Sequence, residues 1–315
     1  MGLRRRTSGL LLVLLVAAGC AGGTPREPLP VRAGDEVVVA GFDFAESEVL
    51  AQVYAQALAA ADVPVRTELR LGPRELVLPA LRQGRVDVVP EYLGTALATV
   101  TGGPVTGLST AEAHRRLGAA LAPDGLRVLA PALAQNQNGL AVLRSTAERL
   151  GLRTTGDLLP HAGRLALTGP PECPRRELCL LGLRRAYGLQ FGRFVPYAGE
   201  SQRTTALEQG VVDVAVVFTT DGRLARDDLV LLTDDRELQP VENVVPVVSS
   251  RALRQHGPRV AAVLDAVSQR LDRAALRFLD WRVTVEGRPA AEQAHGWLLR
   301  HGLLPRDAHD GAPGS

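Results

Sequence analysis

Lysine and isoleucine are absent from this 315-residue chain, so all 36 of its basic residues are Arg. That pattern reflects coding bias toward GC-rich codons, and arginine abundance therefore says nothing here about guanidinium function. Without lysine the sequence cannot build a phosphate-cradling glycine loop of the kind that places an ammonium on the phosphates. It also contains no Gly-x-Ser-x-Gly elbow, and its six His, at 114, 161, 256, 295, 301 and 309, are scattered without metal-ligand spacing. No catalytic residue, metal site or cofactor is assigned on this basis. A net charge of only +2 gives no sign of a nucleic-acid partner, while 46% hydrophobic residues describe a core-forming chain long enough for two domains.

Cysteine is scarce, with three in the chain, and the position of each is informative. Cys20 closes the small-residue stretch Ala17-Ala18-Gly19-Cys20, which follows the apolar run Leu10–Val16 and the basic Arg4, Arg5 and Arg6. The apolar run is too short to be a comfortable membrane span. The segment resembles a bacterial lipoprotein signal with its lipobox, which implies cleavage before Cys20, lipidation of that residue and a flexible Gly/Pro-rich tether over residues 21–35. An ordinary secretory signal with a chance Cys is the rival reading. The other two, Cys173 and Cys179, lie in GPPECPRRELC. In an exported protein a short disulfide between them is the leading reading, with a metal site as rival and free thiols only in the cytoplasm.

What the chain does have is a repeat. LRQGRVDVVPEY at Leu81–Tyr92 recurs 126 residues later as LEQGVVDVAVVF at Leu207–Phe218. Each copy reads as a helix end, a Gly stop and a short apolar strand that opens on an aromatic residue. Strand and helix signals alternate around both copies, predicting an α/β protein of two Rossmann-like lobes with largely parallel sheets and a ligand cleft between matching strand ends. The predicted organisation is lobe 1 over residues 36–134 plus 243–303, lobe 2 over 135–242, and a disordered tail over 304–315. Two crossings, near residues 133–140 and 239–244, form a two-strand hinge, and the helices after the second crossing pack back on lobe 1. Asp87 and Asp213 hold equivalent repeat positions and read as structural. Trp281 and Trp297 read as core.

The blocks GFDFAESEVLAQVYAQAL, LGPRELVLPALRQGRVDVVPEYLGTAL, the GPPE loop, YGL at 187–189, VDVAVVFTTDG and LQPVENVVPVV resemble, in that order, the glycine betaine/choline/carnitine class of osmoprotectant-binding proteins of ABC importers. The resemblance covers about residues 36–300. It implies a type II periplasmic-binding-protein fold, capture of a small quaternary amine or zwitterion between the lobes, and partnership with an ABC permease and its ATPase subunit, while the leader segment points to an extracytoplasmic location and the lack of a catalytic constellation argues against an enzyme. A quaternary ammonium cannot donate hydrogen bonds, so aromatic faces hold it through cation–π attraction. The family's PEYTGT block falls on Tyr92 and Thr95, its aromatic before the TDG block on Phe218, and its carboxylate-anchoring Arg on Arg176, with Arg175 as the alternative register.

Three positions depart from the family pattern. Asp43 stands where a Lys is common, Asn138 or a neighbour in QNQN where a Tyr is expected, and Glu242 where an aromatic precedes the return strand. Asp43 and Glu242 in the pocket would suit a cation, or a ligand with exposed N–H donors, better than a simple betaine. The opposing reading leaves both solvated at the rim. Three further alternatives stay open: a different cationic or polar solute in the same fold, a lipid-anchored sensor without a transporter, and, by fold analogy alone, a cleft enzyme.

Overall fold

Two five-stranded sheets of matching strand order carry the chain in a computed structural model that describes residues 34–103 and 105–305. The signal segment with Cys20, most of the tether and the tail from residue 306 lie outside the described residues. The first half runs β1 (Val37–Ala40), α1 (Ala45–Ala60), β2 (Val65–Glu68), α2 (Arg74–Arg82), β3 (Val88–Tyr92), α3 (Leu93–Thr101), α4 (Thr110–Leu121) and β4 (Leu126–Val128). After the first crossing come β5 (Asn138–Leu143), α5 (Arg144–Leu150), β6 (Ala166–Gly169), α6 (Leu180–Tyr187), β7 (Arg193–Pro196), α7 (Glu200–Glu208), β8 (Val214–Phe218) and β9 (Leu229–Leu232). The return strand β10 (Val244–Ser249) leads into α8 (Ser250–His256), α9 (Pro258–Ser268), α10 (Arg273–Asp280), a π turn at Trp281–Val285 and α11 (Ala290–Arg300).

The sheet orders are β2-β1-β3-β10-β4 and β7-β6-β8-β5-β9. In each, the first three strands are parallel, and the fourth runs antiparallel to both neighbours. That fourth strand, β10 or β5, is the one that has just crossed from the other lobe. The largely parallel sheet expected from sequence is thus interrupted once per lobe by the crossing itself. Pro90 and Pro246 pair with each other across β3 and β10, so the two missing N–H groups fall on one rung of the ladder instead of two.

The 126-residue repeat maps helix onto helix and strand onto strand: α2 shifts onto α7, and β3 onto β8, residue for residue. Both copies are tied in the same way. Asp87 Oδ2 accepts from Val38 N at 3.0 Å, and Asp213 Oδ2 accepts from Ala166 N at 2.8 Å, each fastening the start of its strand to the next. Asp87 also accepts from Ser249 Oγ and Arg251 Nη2 at 2.6 Å each, because β10 passes beside it.

The two crossings run side by side, with an antiparallel bridge between Gln135 and Asn243 and a bond from Val244 N to Ala134 O at 3.0 Å. The C-terminal helices return to the first lobe, as expected. Tyr54 Oη on α1 lies 3.0 Å from Ser268 Oγ, Gln56 Nε2 donates to Ala291 O at 2.9 Å, and Trp297 is fully buried. Trp281 differs from the expectation. It is half-buried, and its indole N–H donates to Glu286 instead of packing in a core. Helix α3 has no clear sequence signal, because it starts directly after β3 with no intervening loop and carries the β-branched Thr95, Thr99, Val100 and Thr101. A 3-10 turn at Ala162–Arg164 precedes β6, which begins at Ala166.

Candidate ligand-binding site

The site grows from the N-terminus of α1. Phe42 N donates to Ser47 Oγ at 2.8 Å, pinning the loop that presents Phe44. The Phe42 and Phe44 rings stack at 5.8 Å, and Phe44 meets Tyr92 at 6.1 Å, so an aromatic row leads to the end of β3. Tyr92 is buried and donates through Oη to Glu46 Oε1. From the other lobe, the equivalent strand end offers Phe218, which remains 41% exposed and faces open space. Between them lies a cavity of about 470 Å³ lined from both lobes.

The repeat places more than the two aromatics. Arg74 and Glu200 are the first residues of α2 and α7, Thr95 and Asp221 follow β3 and β8 at the same offset, and all four line the cavity. Asp280 and Thr284, at the end of α10 and in the π turn, complete the wall. The lobes touch here. Gly222 N donates to Asp280 Oδ2 at 3.1 Å, and Arg277 Nε donates to Thr219 O at 2.7 Å. A Cβ on Gly222 would lie 2.5 Å from Trp281 Cα, so only glycine lets the two backbones approach this closely.

Charge in the cavity is predominantly acidic. Glu46, at the positive end of α1, accepts from Tyr92, Asn136 Nδ2 at 2.8 Å and Thr220, and burial raises its pKa. Glu200 accepts from Phe218 N at 3.0 Å; burial, with Asp221 beside it, pushes its pKa up to about 7. Asp280 is pushed up to about 8, first by burial and then by the acidic charges of Glu46, Glu200 and Asp221. The two lining guanidinium groups are engaged. Arg74 is bidentate to Glu91 at 2.8–3.1 Å and sits 4.9 Å over the Phe42 ring, while Arg223 Nη1 donates to Ser201 O and Thr205 Oγ1 at 3.0 Å. Acids thus outnumber bases in the lining, and both bases already hold hydrogen-bond acceptors.

Of the residues expected from sequence, the structure brings Tyr92, Thr95 and Phe218 to this cavity. Glu242 is buried just behind it. Its carboxylate accepts from Thr95 N and Thr95 Oγ1, which caps the start of α3, and burial pushes its pKa up to about 7. Gly94 makes room for that hinge segment, since a Cβ there would lie 2.6 Å from Val241 O. Asp43 is exposed and is not among the lining residues. Asn138 points instead into a larger open groove of about 1000 Å³ that no aromatic residue lines. Arg176 is exposed and paired with Glu172 at 2.8 Å, outside the cavity, because its loop is folded back by the Cys173–Cys179 disulfide. Arg175 is exposed as well.

Sequence reasoning missed Phe44, Glu46, Glu200, Asp221 and Asp280. The repeat offset, applied to Thr95 and Arg74, would have found Asp221 and Glu200. Phe44 stands one residue beyond Asp43 in the same GFDF block. Asp280 had no local signal, because only the contact of α10 with the loop after β8 brings it in.

Two α/β lobes, a strand exchanged at each of two crossings, and an aromatic and acidic cavity between matching strand ends define a solute-binding protein of the periplasmic type. The family model for the substrate binding domain of ABC-type glycine betaine transport systems matches residues 35–300, and the chain belongs to that family. It is a family of extracytoplasmic transport components, not of enzymes. The chain is 31% identical over 287 residues to the glycine-betaine-binding protein of Pseudomonas aeruginosa, covering 88% of this chain and 91% of that one. It is 28% identical over 285 residues to the glycine betaine-binding protein YehZ of Escherichia coli, covering 87% and 93%. Its fold matches a crystal structure of a glycine betaine/carnitine/choline ABC transporter protein at a TM-score of 0.80 and 21% identity, over 86% of this chain and 100% of the other. Among the described residues no helix is long and apolar enough to cross a membrane.

The raised carboxyls have a consequence for stability. A carboxyl whose pKa is higher folded than unfolded stabilises the fold fully below the unfolded value of about 4 and loses that contribution as pH rises through the folded value. For Glu200 and Asp280, at about 7 and about 8, the loss is complete only above pH 8. The melting temperature of unliganded protein is expected to fall between pH 5 and pH 9, and Asp280→Asn to flatten the upper part of that slope. Superimposable pH profiles for the two proteins would show that Asp280 is not buried against other acids.

Proposed function

We propose that the protein is the extracytoplasmic, lipid-anchored receptor of an ABC importer, capturing a small quaternary amine between its lobes and presenting it to a membrane permease driven by an ATPase subunit. The observation that carries this reading is the aromatic set Phe44, Tyr92 and Phe218 facing one interlobe cavity whose ionisable lining is mostly carboxyl. A methylated ammonium spreads its charge over apolar methyl groups, so it gains from aromatic faces and from acids at slightly longer range. Thr95 and Glu242 support the cage from behind, and Glu242 is well placed to add long-range negative charge. Family membership supplies the transport context, and the Pseudomonas and Escherichia relatives named for glycine betaine support the ligand class.

Each aromatic face contributes about 0.5–2 kcal/mol to holding a quaternary ammonium. Tyr92→Ala and Phe218→Ala are each expected to weaken binding of choline or glycine betaine by about tenfold, read by isothermal titration calorimetry. Phe278→Ala, an exposed aromatic outside the cavity, serves as the control and should bind as the parent does. Unchanged affinity in both cavity variants sinks the cage.

The anchor rests on the Ala17-Ala18-Gly19-Cys20 segment. Expressed with its own leader in a bacterial host, the protein should fractionate with membranes and carry a diacylglyceryl mass at Cys20. Cys20→Ser should leave it without that mass and off the membrane. A mature wild-type protein that lacks the lipid mass rules the anchor out.

A further inference from the structure

We infer that this cavity selects an organic cation that carries no carboxylate of its own, so that choline-type ligands are preferred over betaine-type zwitterions, with Asp280, Glu200 and Glu46 supplying the countercharge. The inference rests on the quaternary-amine reading above and names the ligand's charge type.

Three observations carry it. First, the ionisable groups lining the cavity are four acids, Glu46, Glu200, Asp221 and Asp280, against two guanidinium groups. Second, both guanidinium groups already have acceptors. Arg74 holds Glu91 through a bidentate fork and stacks on Phe42, and Arg223 reaches away along α7 to Ser201 and Thr205. Third, the loop arginines that could reach for a ligand carboxylate, Arg175 and Arg176, are exposed and outside the cavity, and Arg176 is paired with Glu172.

A zwitterion's carboxylate would therefore enter among carboxyl groups and find no unengaged fork to bind it. A cation meets the opposite situation. Asp280 has acids as its charged neighbours and accepts from a backbone N–H and from Thr284, while Glu200 accepts from a backbone N–H and has the buried Arg203 behind it. Arg203 itself is spent on the carbonyls of Val216, Tyr197 and Ala198. A bound ammonium supplies the positive partner these carboxyls lack and favours their ionised forms, a gain that uncharged or zwitterionic ligands cannot match.

Choline and glycine betaine test this cleanly, because they share a trimethylammonium head and differ in a hydroxymethyl against a carboxylate. Calorimetric titration of both ligands at pH 8 into the wild type, Asp280→Asn and Glu200→Gln is the experiment, and both substitutions keep size and one accepting oxygen while removing the charge. The wild type is expected to bind choline at least tenfold more tightly than glycine betaine, and each substitution to shrink that ratio severalfold, chiefly by weakening choline. Equal or tighter betaine binding by the wild type overturns the inference while leaving the quaternary-amine reading intact. A choline preference that neither substitution alters also overturns it, since the acids would then not set the selectivity. Binding of neither ligand overturns both readings together.

Discussion

Glu46 sits at the floor of the interlobe cavity, fully buried, with Tyr92, Asn136 and Thr220 as its hydrogen-bond partners, all of them neutral. A carboxyl in that position is tolerable because three donors and the positive end of α1 face it, yet it still carries the penalty of leaving water. The surrounding arrangement follows. Tyr92 cannot rotate away without leaving Glu46 short of a donor, so the ring face is held toward the cavity. Glu200 and Asp280, each on its own element, share the same acidic field and hold their protons to about pH 7 and about pH 8. The cleft is thereby tuned to wait for positive charge.

Closure of the lobes depends on the same groups. Asp280 belongs to the return helices packed on the first lobe, yet its carboxyl receives the Gly222 N–H of the second. Arg277, one turn earlier on α10, holds Thr219 O, directly after Phe218. The C-terminal helices thus read the position of the second lobe at the place where the ligand cage is completed, and Gly222 permits the approach because no side chain intervenes. Asp280 serves both the cavity and the contact between the lobes: a cation that favours its ionised form would also strengthen the acceptor for the Gly222 N–H.

How much of this was legible in the sequence follows from what sequence patterns encode. The 126-residue repeat exposed two lobes because the same helix-strand unit must bury the same face twice, and the structure aligns α2 with α7 and β3 with β8 without a gap. Tyr92 and Phe218 both reach the cavity because that repeat fixes the two strand ends. Asp43 was singled out where its neighbour Phe44 lines the cavity, because a loop's residues face opposite ways and no periodicity tells which faces in. Asn138 and Arg176 depended on alignment to family motifs across loops of different shape, and the structure places them in the open groove and on the exposed disulfide loop. Glu46 and Asp280 were invisible for a different reason: their partners come from other elements, 46 and 90 residues away for Tyr92 and Asn136 at Glu46 and 58 residues away for Gly222 at Asp280, and no local pattern records that meeting.

The proposed cation site is the cavity of Phe44, Tyr92 and Phe218 and not the larger groove beside Gln137 and Asn138. A crystal structure of the protein grown with choline tests this most directly. The trimethylammonium nitrogen is expected within about 6 Å of the ring centroids of these aromatics, with Asp280 or Glu200 just beyond them. Density for the ligand in the groove lined by Asn138 and Gln239, with the aromatic cavity holding only water, would contradict it.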